Sequence, residues 1–194
     1  MNARRAFRTS LLAALVALGS AGCDNSNSNM SQEDVQFLSH LDQARFFQRQ
    51  GELKASTLEA RSAMDLQPQR ADPYFIMIDN LLTAGDAINA ERQLKRLRDN
   101  IEAGDDNIVL HNRVRLALAR AAYMQRQHDQ AIEILGTLQN PDRTQQLEIA
   151  TLTGDILLAQ RKLDEAVKAY DAARQIDAQA IMPVLGLSRT ALTA

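Results

Sequence analysis

The sequence repeats one pattern with a period of 34 residues. The stretches ARFFQRQGELKASTLEARSAMDLQP and DNLLTAGDAINAERQLKRL place their glycines, Gly51 and Gly85, 34 positions apart. Around each glycine, apolar residues recur at spacings of three and four, which line one face of an α-helix. The pattern predicts units of two antiparallel helices joined by a glycine turn, and units of this kind stack into a solenoid.

The first two units share small, aromatic and aliphatic residues at matching packing positions. In the unit at residues 37–70 these are Ala44, Phe47, Gly51, Ala60, Ala63 and Pro68. In the unit at residues 71–104 they are Tyr74, Met77, Ile78, Leu81, Gly85, Ala90, Leu94 and Leu97. This pattern resembles the tetratricopeptide repeat (TPR), a helix–turn–helix unit of about 34 residues. The resemblance implies an all-α, TPR-type solenoid over residues 32–194.

Two further units and a final helix follow in the same register. The sequence IEAGDDN lengthens the connection after the second unit by about seven residues, which should widen the gap to the third. Arginine stands where the turn glycine belongs in the third and fourth units, at Arg126 and Arg161. The remaining pieces are the third unit at about 112–145, the fourth at about 147–180, and a final helix at 181–194.

The first 22 residues have the order of a secretion signal. Arg4, Arg5 and Arg8 precede an apolar stretch at residues 11–18, and small residues follow it. The apolar stretch is shorter than the roughly 20 residues that a transmembrane helix needs. The order therefore predicts an export signal and not a membrane span.

The only cysteine, Cys23, directly follows Ala21 and Gly22 at the end of this signal. The junction resembles the lipobox of bacterial lipoproteins. In that family the signal peptide, here residues 1–22, is removed and the cysteine thiol carries a diacylglycerol, so the resemblance implies that Cys23 is the lipidation site. An unlipidated signal or a buried structural cysteine is the alternative. Two or more acyl chains would hold the protein on a membrane durably.

Residues 23–31 predict a flexible tether because residues 24–31, DNSNSNMS, are almost entirely polar. Eight residues reach at most about 26–29 Å, so the solenoid should stay near the bilayer. Asp24 and Asn25 resemble the residues that keep enteric lipoproteins in the inner membrane. The resemblance implies anchoring on the periplasmic face of the inner membrane, with the outer membrane as the alternative because the sorting rule varies between bacterial groups.

Composition and residue spacing argue against nucleic-acid binding and catalysis. Removal of residues 1–22 takes away three of 22 basic residues and none of 24 acidic ones, which leaves a formal charge of −5. A nucleic-acid binder would be strongly basic. His40, His111 and His128 lie in different units without metal-ligand spacing, and the sequence has no phosphate loop or nucleophile elbow. We therefore expect no enzyme activity, no cofactor and no metal.

The first helices of a TPR array line its concave side, so the family register names a candidate groove. The ninth position of successive units alternates in charge: Arg45, Asp79, Arg120, Asp155 and Arg189. One interpretation is a ladder of ion pairs that neutralise one another and set the helix register. The other is a polar stripe that binds an extended or helical peptide, with apolar contacts from Phe75, Leu82, Tyr123 and Leu158.

Together these patterns predict a membrane-anchored, extracytoplasmic TPR scaffold whose partners are envelope proteins or peptides bound in the groove. The repeats resemble the front of TPR lipoproteins linked to exopolysaccharide export. The alternative is a pilotin-like or chaperone-like lipoprotein for pilus, secretin or outer-membrane protein assembly. Fold alone does not choose between these systems.

Overall fold

The structure is a computed structural model that describes residues 30–102 and 107–193. This part of the chain is entirely helical, which confirms the predicted fold class. The helices are α1 Gln32–Arg49, α2 Leu53–Leu66, α3 Ala71–Thr83, α4 Ala87–Glu102, α5 Ile108–Met124, α6 His128–Gly136, α7 Arg143–Ala159, α8 Leu163–Ile176 and α9 Ile181–Thr193. None of the helices described is both long and apolar enough to cross a membrane.

The helices pack in chain order as antiparallel pairs, α1 with α2, α3 with α4, α5 with α6 and α7 with α8. First helices also contact one another at α1–α3 and α5–α7, and α9 packs against α7 and α8. The solenoid and its groove lie within residues 31–193. The predicted signal peptide, Cys23, Asp24, Asn25 and most of the tether lie outside the described residues.

Side-chain caps fix where two of the first helices begin. At α1, the Ser31 hydroxyl accepts a hydrogen bond from the Asp34 backbone N–H at 3.0 Å, and the Asp34 carboxylate accepts one from the Ser31 N–H at 3.2 Å. Asp142 and Gln145 form the same reciprocal pair at α7, with distances of 2.8 and 3.1 Å. Each of these reciprocal pairs is a capping box, and it satisfies two backbone N–H groups that would otherwise be unpaired at the start of the helix.

All four turns between paired helices place one residue in the left-handed conformation. The φ angles are 76° at Gly51, 82° at Gly85, 62° at Arg126 and 64° at Arg161. In each turn that residue's N–H bonds to a carbonyl three residues back, and the next N–H reaches five residues back, as in Gly51 to Gln48 and Glu52 to Phe47. This pair of backbone hydrogen bonds is the Schellman motif, which ends a helix and reverses the chain. The two arginines therefore keep the turn geometry at a cost in backbone strain.

Small residues allow the paired helices to approach closely. Ala44, Ala60 and Ala63 are fully buried between α1 and α2, as the repeat register predicts. Larger residues such as Phe37 and Leu41 fill the space around them. The core continues as overlapping apolar clusters, one around α1–α3, one around α3–α5 and one around α5–α7.

Buried polar side chains join helices both within a unit and between neighbouring units. Asn80 of α3 is 2% exposed; it donates to the Ser56 hydroxyl of α2 at 2.7 Å and accepts from Gln48 of α1 at 3.1 Å. Asn112 of α5 exchanges two hydrogen bonds with the Gln139 backbone after the short helix α6. Buried polar groups of this kind fix register because an unpaired one is costly.

The turn strain gives a stability prediction. We expect Arg126→Gly to raise the free energy of unfolding by about 0.5–1 kcal/mol. The left-handed conformation costs an L-residue about 1–2 kcal/mol, which glycine avoids. Glycine loses more backbone entropy on folding, and this loss offsets about 0.5–1 kcal/mol of the gain. Arg126 is exposed and makes no ion pair or hydrogen bond through its side chain among the described residues, so the change removes no polar interaction. Urea unfolding followed by circular dichroism measures it.

The matched control is Gly85→Ala, at the equivalent turn. Nothing lies within 4 Å of the position a Cβ would take there, so strain alone should act. We expect a loss of about 1 kcal/mol. A destabilised Arg126→Gly together with an unchanged Gly85→Ala would contradict the strain account.

Candidate functional site

The concave side holds a groove of about 670 Å³ formed by α3, α5, α7 and the start of α9. Four of the predicted groove residues line it: Asp79, Leu82, Arg120 and Asp155. The rest of the lining consists of Thr83, Met124, Thr144, Leu147, Glu148, Thr151, Leu152, Ala180, Ile181, Met182 and Pro183. The volume falls in the range of sites that hold small ligands or short peptide segments.

The predicted charge ladder forms at one step only. Asp155 pairs with Arg189, one ninth position with the next. The other ninth-position arginines reach the second position of the following unit instead, because Arg45 pairs with Asp72 and Arg120 with Glu148. The ladder interpretation, which joined ninth positions to one another, is therefore wrong for these steps.

The stagger between neighbouring first helices explains this offset. Counted from residues 37, 71, 112, 147 and 181, the second position holds Asp72, Arg113, Glu148 and Met182 in the later units. Each of the three charges is opposite in sign to the ninth-position residue of the unit before it. The final helix has Met182 at this place, so Asp155 has no charged second-position partner and takes Arg189.

Asp79 is the ninth-position residue without an ion pair. It is half-buried in α3, and it makes no hydrogen bond or ion pair through its side chain with any described residue. Burial raises the pKa of its carboxyl group, and the positive charges of Arg113 and Arg120 oppose the rise. The guanidinium of Arg113 lies 3.7 Å from the centre of the Phe75 ring in a cation–π contact.

Asp155 has a different environment because two side chains hold it. The Tyr170 hydroxyl of α8 donates to Asp155 Oδ1 at 2.7 Å, and Arg189 of α9 pairs with the same oxygen. Burial and this hydrogen bond to Asp155 raise the pKa of the Tyr170 phenol, so it stays protonated as a donor. These contacts join α7, α8 and α9 and fix the end of the groove.

Tyr170 fits only because glycine faces it from both neighbouring helices. A Cβ on Gly154 would lie 2.5 Å from Tyr170 Cε1, and a Cβ on Gly186 would lie closer still to the same ring. Tyr170 itself is fully buried. The packing therefore needs glycine in both α7 and α9, although only Gly154 occupies a position that the repeat pattern marks.

Five predicted groove residues lie outside the groove lining. Phe75 is 2% exposed, so the prediction that it contacts a bound peptide is corrected: its ring packs in the core under Arg113. Tyr123 borders a separate cavity with Met124, Arg126, His128 and Ala159. Arg45 and Leu158 do not line the groove, and Arg189 acts on it through Asp155.

Sequence reasoning missed Leu147, Glu148, Thr151 and Met182, which form much of the wall. They occupy the first, second and fifth positions of the last units. The alternating charges at the second position were visible in the sequence and could have identified Glu148. The apolar side chains carried no such signal, because core positions have the same composition.

The described residues hold no group of three or more His, Cys, Asp and Glu side chains that could bind a metal. His40 of α1 is half-buried, and its Nδ1 lies 2.7 Å from the Glu59 carboxylate of α2. This contact accounts for His40 as a packing residue of the first helix pair. The groove lining itself combines charged and apolar side chains.

The family model of the tetratricopeptide repeat-like domain matches residues 9–194. The chain belongs to this family. The TPR fold is that of a protein–protein interaction scaffold. A comparison with curated proteins finds no match.

Several solved structures share the fold at low sequence identity. A chain of the APC/C hetero-tetramer Cut9–Hcn1 is 15% identical with a TM-score of 0.66, over 79% of this TPR chain and 29% of that one. PilF of Pseudomonas aeruginosa is 13% identical with a TM-score of 0.65, over 84% and 71%. YrrB, a TPR protein with an unusual peptide-binding site, is 16% identical with a TM-score of 0.50, over 83% and 79%. The TPR chain thus spans less than a third of the Cut9–Hcn1 chain that it resembles.

The tyrosine between two glycines gives a second prediction. Gly186→Ala should lower the free energy of unfolding by about 1–3 kcal/mol, because the added methyl group overpacks a buried ring that Asp155 holds in place. Urea unfolding of the variant measures the loss.

Gly136→Ala is the matched control in α6, where nothing lies within 4 Å of the added methyl group. It should keep or slightly raise stability, because alanine favours a helix more than glycine does. Equal stability of the two variants would refute the packing of Tyr170 against α9.

Proposed function

We propose that this TPR protein is a membrane-anchored scaffold outside the cytoplasm that binds segments of envelope proteins in its concave groove. The observation that carries the proposal is the groove itself, which presents both charged and apolar side chains on four first helices. The bound segment would be a loop, a terminus or an exposed helix of a folded partner. The protein acts by binding and catalyses nothing.

The proposed membrane anchor is inferred from the sequence around Cys23. A signal of three arginines, a short apolar stretch and small residues ends directly at this cysteine. Two or more acyl chains, at about 0.8 kcal/mol per buried methylene, give stable membrane attachment, whereas a single chain gives only marginal attachment. The proposal places the protein on the periplasmic face of the inner membrane, following Asp24 and Asn25.

The proposed system is exopolysaccharide export, on the resemblance of the repeats to the front of TPR lipoproteins of such systems. The proposed tether, at most about 26–29 Å long, limits the groove to partners close to the bilayer. Periplasmic loops of a membrane export complex meet this condition.

Binding in the groove is tested by site-specific photo-crosslinking in cells. A photoreactive phenylalanine analogue replaces Thr151 in the groove wall, and in a control variant it replaces Lys168, an exposed residue of α8. We expect a discrete crosslinked species of higher mass from position 151, because the bound segment lies within reach of its side chain. Identical crosslinking from both positions, or none from position 151, would exclude the groove as the binding site.

Anchoring is tested by Cys23→Ser. We expect the variant to fold normally, to take up no fatty-acid label and to leave the membrane fraction, because the acyl chains supply the membrane affinity. Labelling with a fatty-acid probe, followed by separation of the inner and outer membranes on a sucrose gradient, measures both properties.

Asp24→Ser is the comparison for destination in the same gradient. The wild type should band with the inner membrane and the variant should shift toward the outer membrane. An unlabelled wild type would refute the anchor. A labelled wild type in the outer membrane would refute the sorting step alone.

A further inference from the structure

The groove wall carries more negative than positive charge. Its lining includes three carboxylates, Asp79, Glu148 and Asp155, and one guanidinium, Arg120. Glu148 is paired with Arg120, and Asp155 is paired with Arg189 and hydrogen-bonded by Tyr170. One lining charge, that of Asp79, is left without a direct partner among the described residues.

The cations nearest to Asp79 are already engaged elsewhere. Arg113 of α5 stacks on the Phe75 ring at 3.7 Å, and Arg120 pairs with Glu148. Both attract the Asp79 carboxylate from a distance without forming an ion pair with it. A half-buried carboxylate has lost part of its hydration, so a cation in contact with it gains more than it would on an open surface.

Much of the remaining groove lining is apolar, and part of it is exposed. Ile181 is 71% exposed, Met182 is 56% exposed and Met124 is 38% exposed, and all three line the groove together with Leu147 and Leu152. Methionine side chains adapt their shape to different apolar partners. This wall suits aliphatic or aromatic side chains of a bound segment.

We propose that the groove binds an apolar peptide segment carrying a lysine or arginine whose cation contacts the Asp79 carboxylate. This inference rests on the proposed function, since it specifies what the groove binds. Two features of the lining support the inference: the Asp79 carboxylate has no ion pair, and the apolar wall can contact the rest of the peptide.

An acidic segment or a peptide carboxylate fits this groove poorly. Among the described residues, Arg120 is the one cation that lines the groove, and Glu148 already holds that guanidinium. An anion would have to displace Glu148 and would then lie near two further carboxylates. A cation meets neither obstacle.

The test starts with a phage-displayed library of random 12-residue peptides, selected on the immobilised full chain. We expect enriched peptides that combine apolar residues with at least one Lys or Arg and that crosslink to position 151. Their dissociation constants are then measured by fluorescence anisotropy with synthetic labelled peptides.

Asp79→Asn should weaken binding of these peptides about tenfold to a hundredfold, which is the range for a lost charge-assisted hydrogen bond. Asp171→Asn is the matched control: it removes the same charge from an exposed carboxylate of α8 whose one ion pair among the described residues is with Arg174. It should leave the affinity unchanged. Unfolding curves of both variants check that the fold is kept.

A double-mutant cycle identifies the contact itself. Replacing the peptide's basic residue by methionine should weaken binding to the wild type by the same factor, and it should have little further effect on Asp79→Asn. If the two losses multiply, the cation binds elsewhere and the inference is overturned.

The experiments distinguish failure of this inference from failure of the proposed function. Enriched peptides that lack basic residues, or that bind Asp79→Asn as tightly as the wild type, overturn this inference and leave the groove as a binding site. No enrichment, or dimerisation of the full chain through the groove, overturns the inference and the proposed function together.

Discussion

The solenoid depends on the close approach of paired helices at small residues. Eight alanines at these contacts are fully buried: Ala44, Ala60, Ala63, Ala90, Ala119, Ala131, Ala166 and Ala173. An alanine side chain contributes little apolar area itself, but it lets the axes come close enough for larger neighbours to interdigitate. Where the last units need still closer contact, Gly154 and Gly186 take this role and Tyr170 fills the space between them.

This close packing also determines which charges meet on the concave side. Neighbouring first helices are staggered, so the ninth position of one unit faces the second position of the next, as in Arg45 with Asp72 and Arg120 with Glu148. The second unit is about seven residues longer than the first, but the connection between α4 and α5 takes only residues 103–107, so the expected long connection is wrong and α4 and α5 hold most of the extra length. At the step from the second to the third unit, Arg113 stacks on Phe75, and Asp79 stays unpaired.

Local features of the fold could be predicted from the sequence. The turn residues Gly51, Gly85, Arg126 and Arg161 all adopt the left-handed conformation, because each turn is encoded within a few residues. The alanine positions are equally predictable, since 34-residue spacing preserves the face that each residue occupies. The family match and the helical fold agree with this part of the sequence analysis.

The groove was less predictable because it depends on relations between helices. Phe75 shares its register position with Thr151, yet Phe75 is in the core and Thr151 lines the groove. The length of each unit and the stagger between neighbouring first helices both affect which side of each helix faces the groove. The residue type at one position does not specify the unit length or the stagger between helices. The charge pairs and the apolar wall could therefore be identified only in the packed structure.

The final helix gives the groove a direction. In α1, the first and fifth repeat positions hold Phe37 and Leu41, which are 1% and 2% exposed because α2 covers them. In α9 the same positions hold Ile181 and Leu185, which are 71% and 50% exposed. Repeat positions that are core in the first unit are thus exposed in α9, where Ile181 lines the groove. In the proposed binding mode, a segment meets apolar side chains toward α9 and the Asp79 carboxylate toward α3, so the order of its residues fixes its orientation.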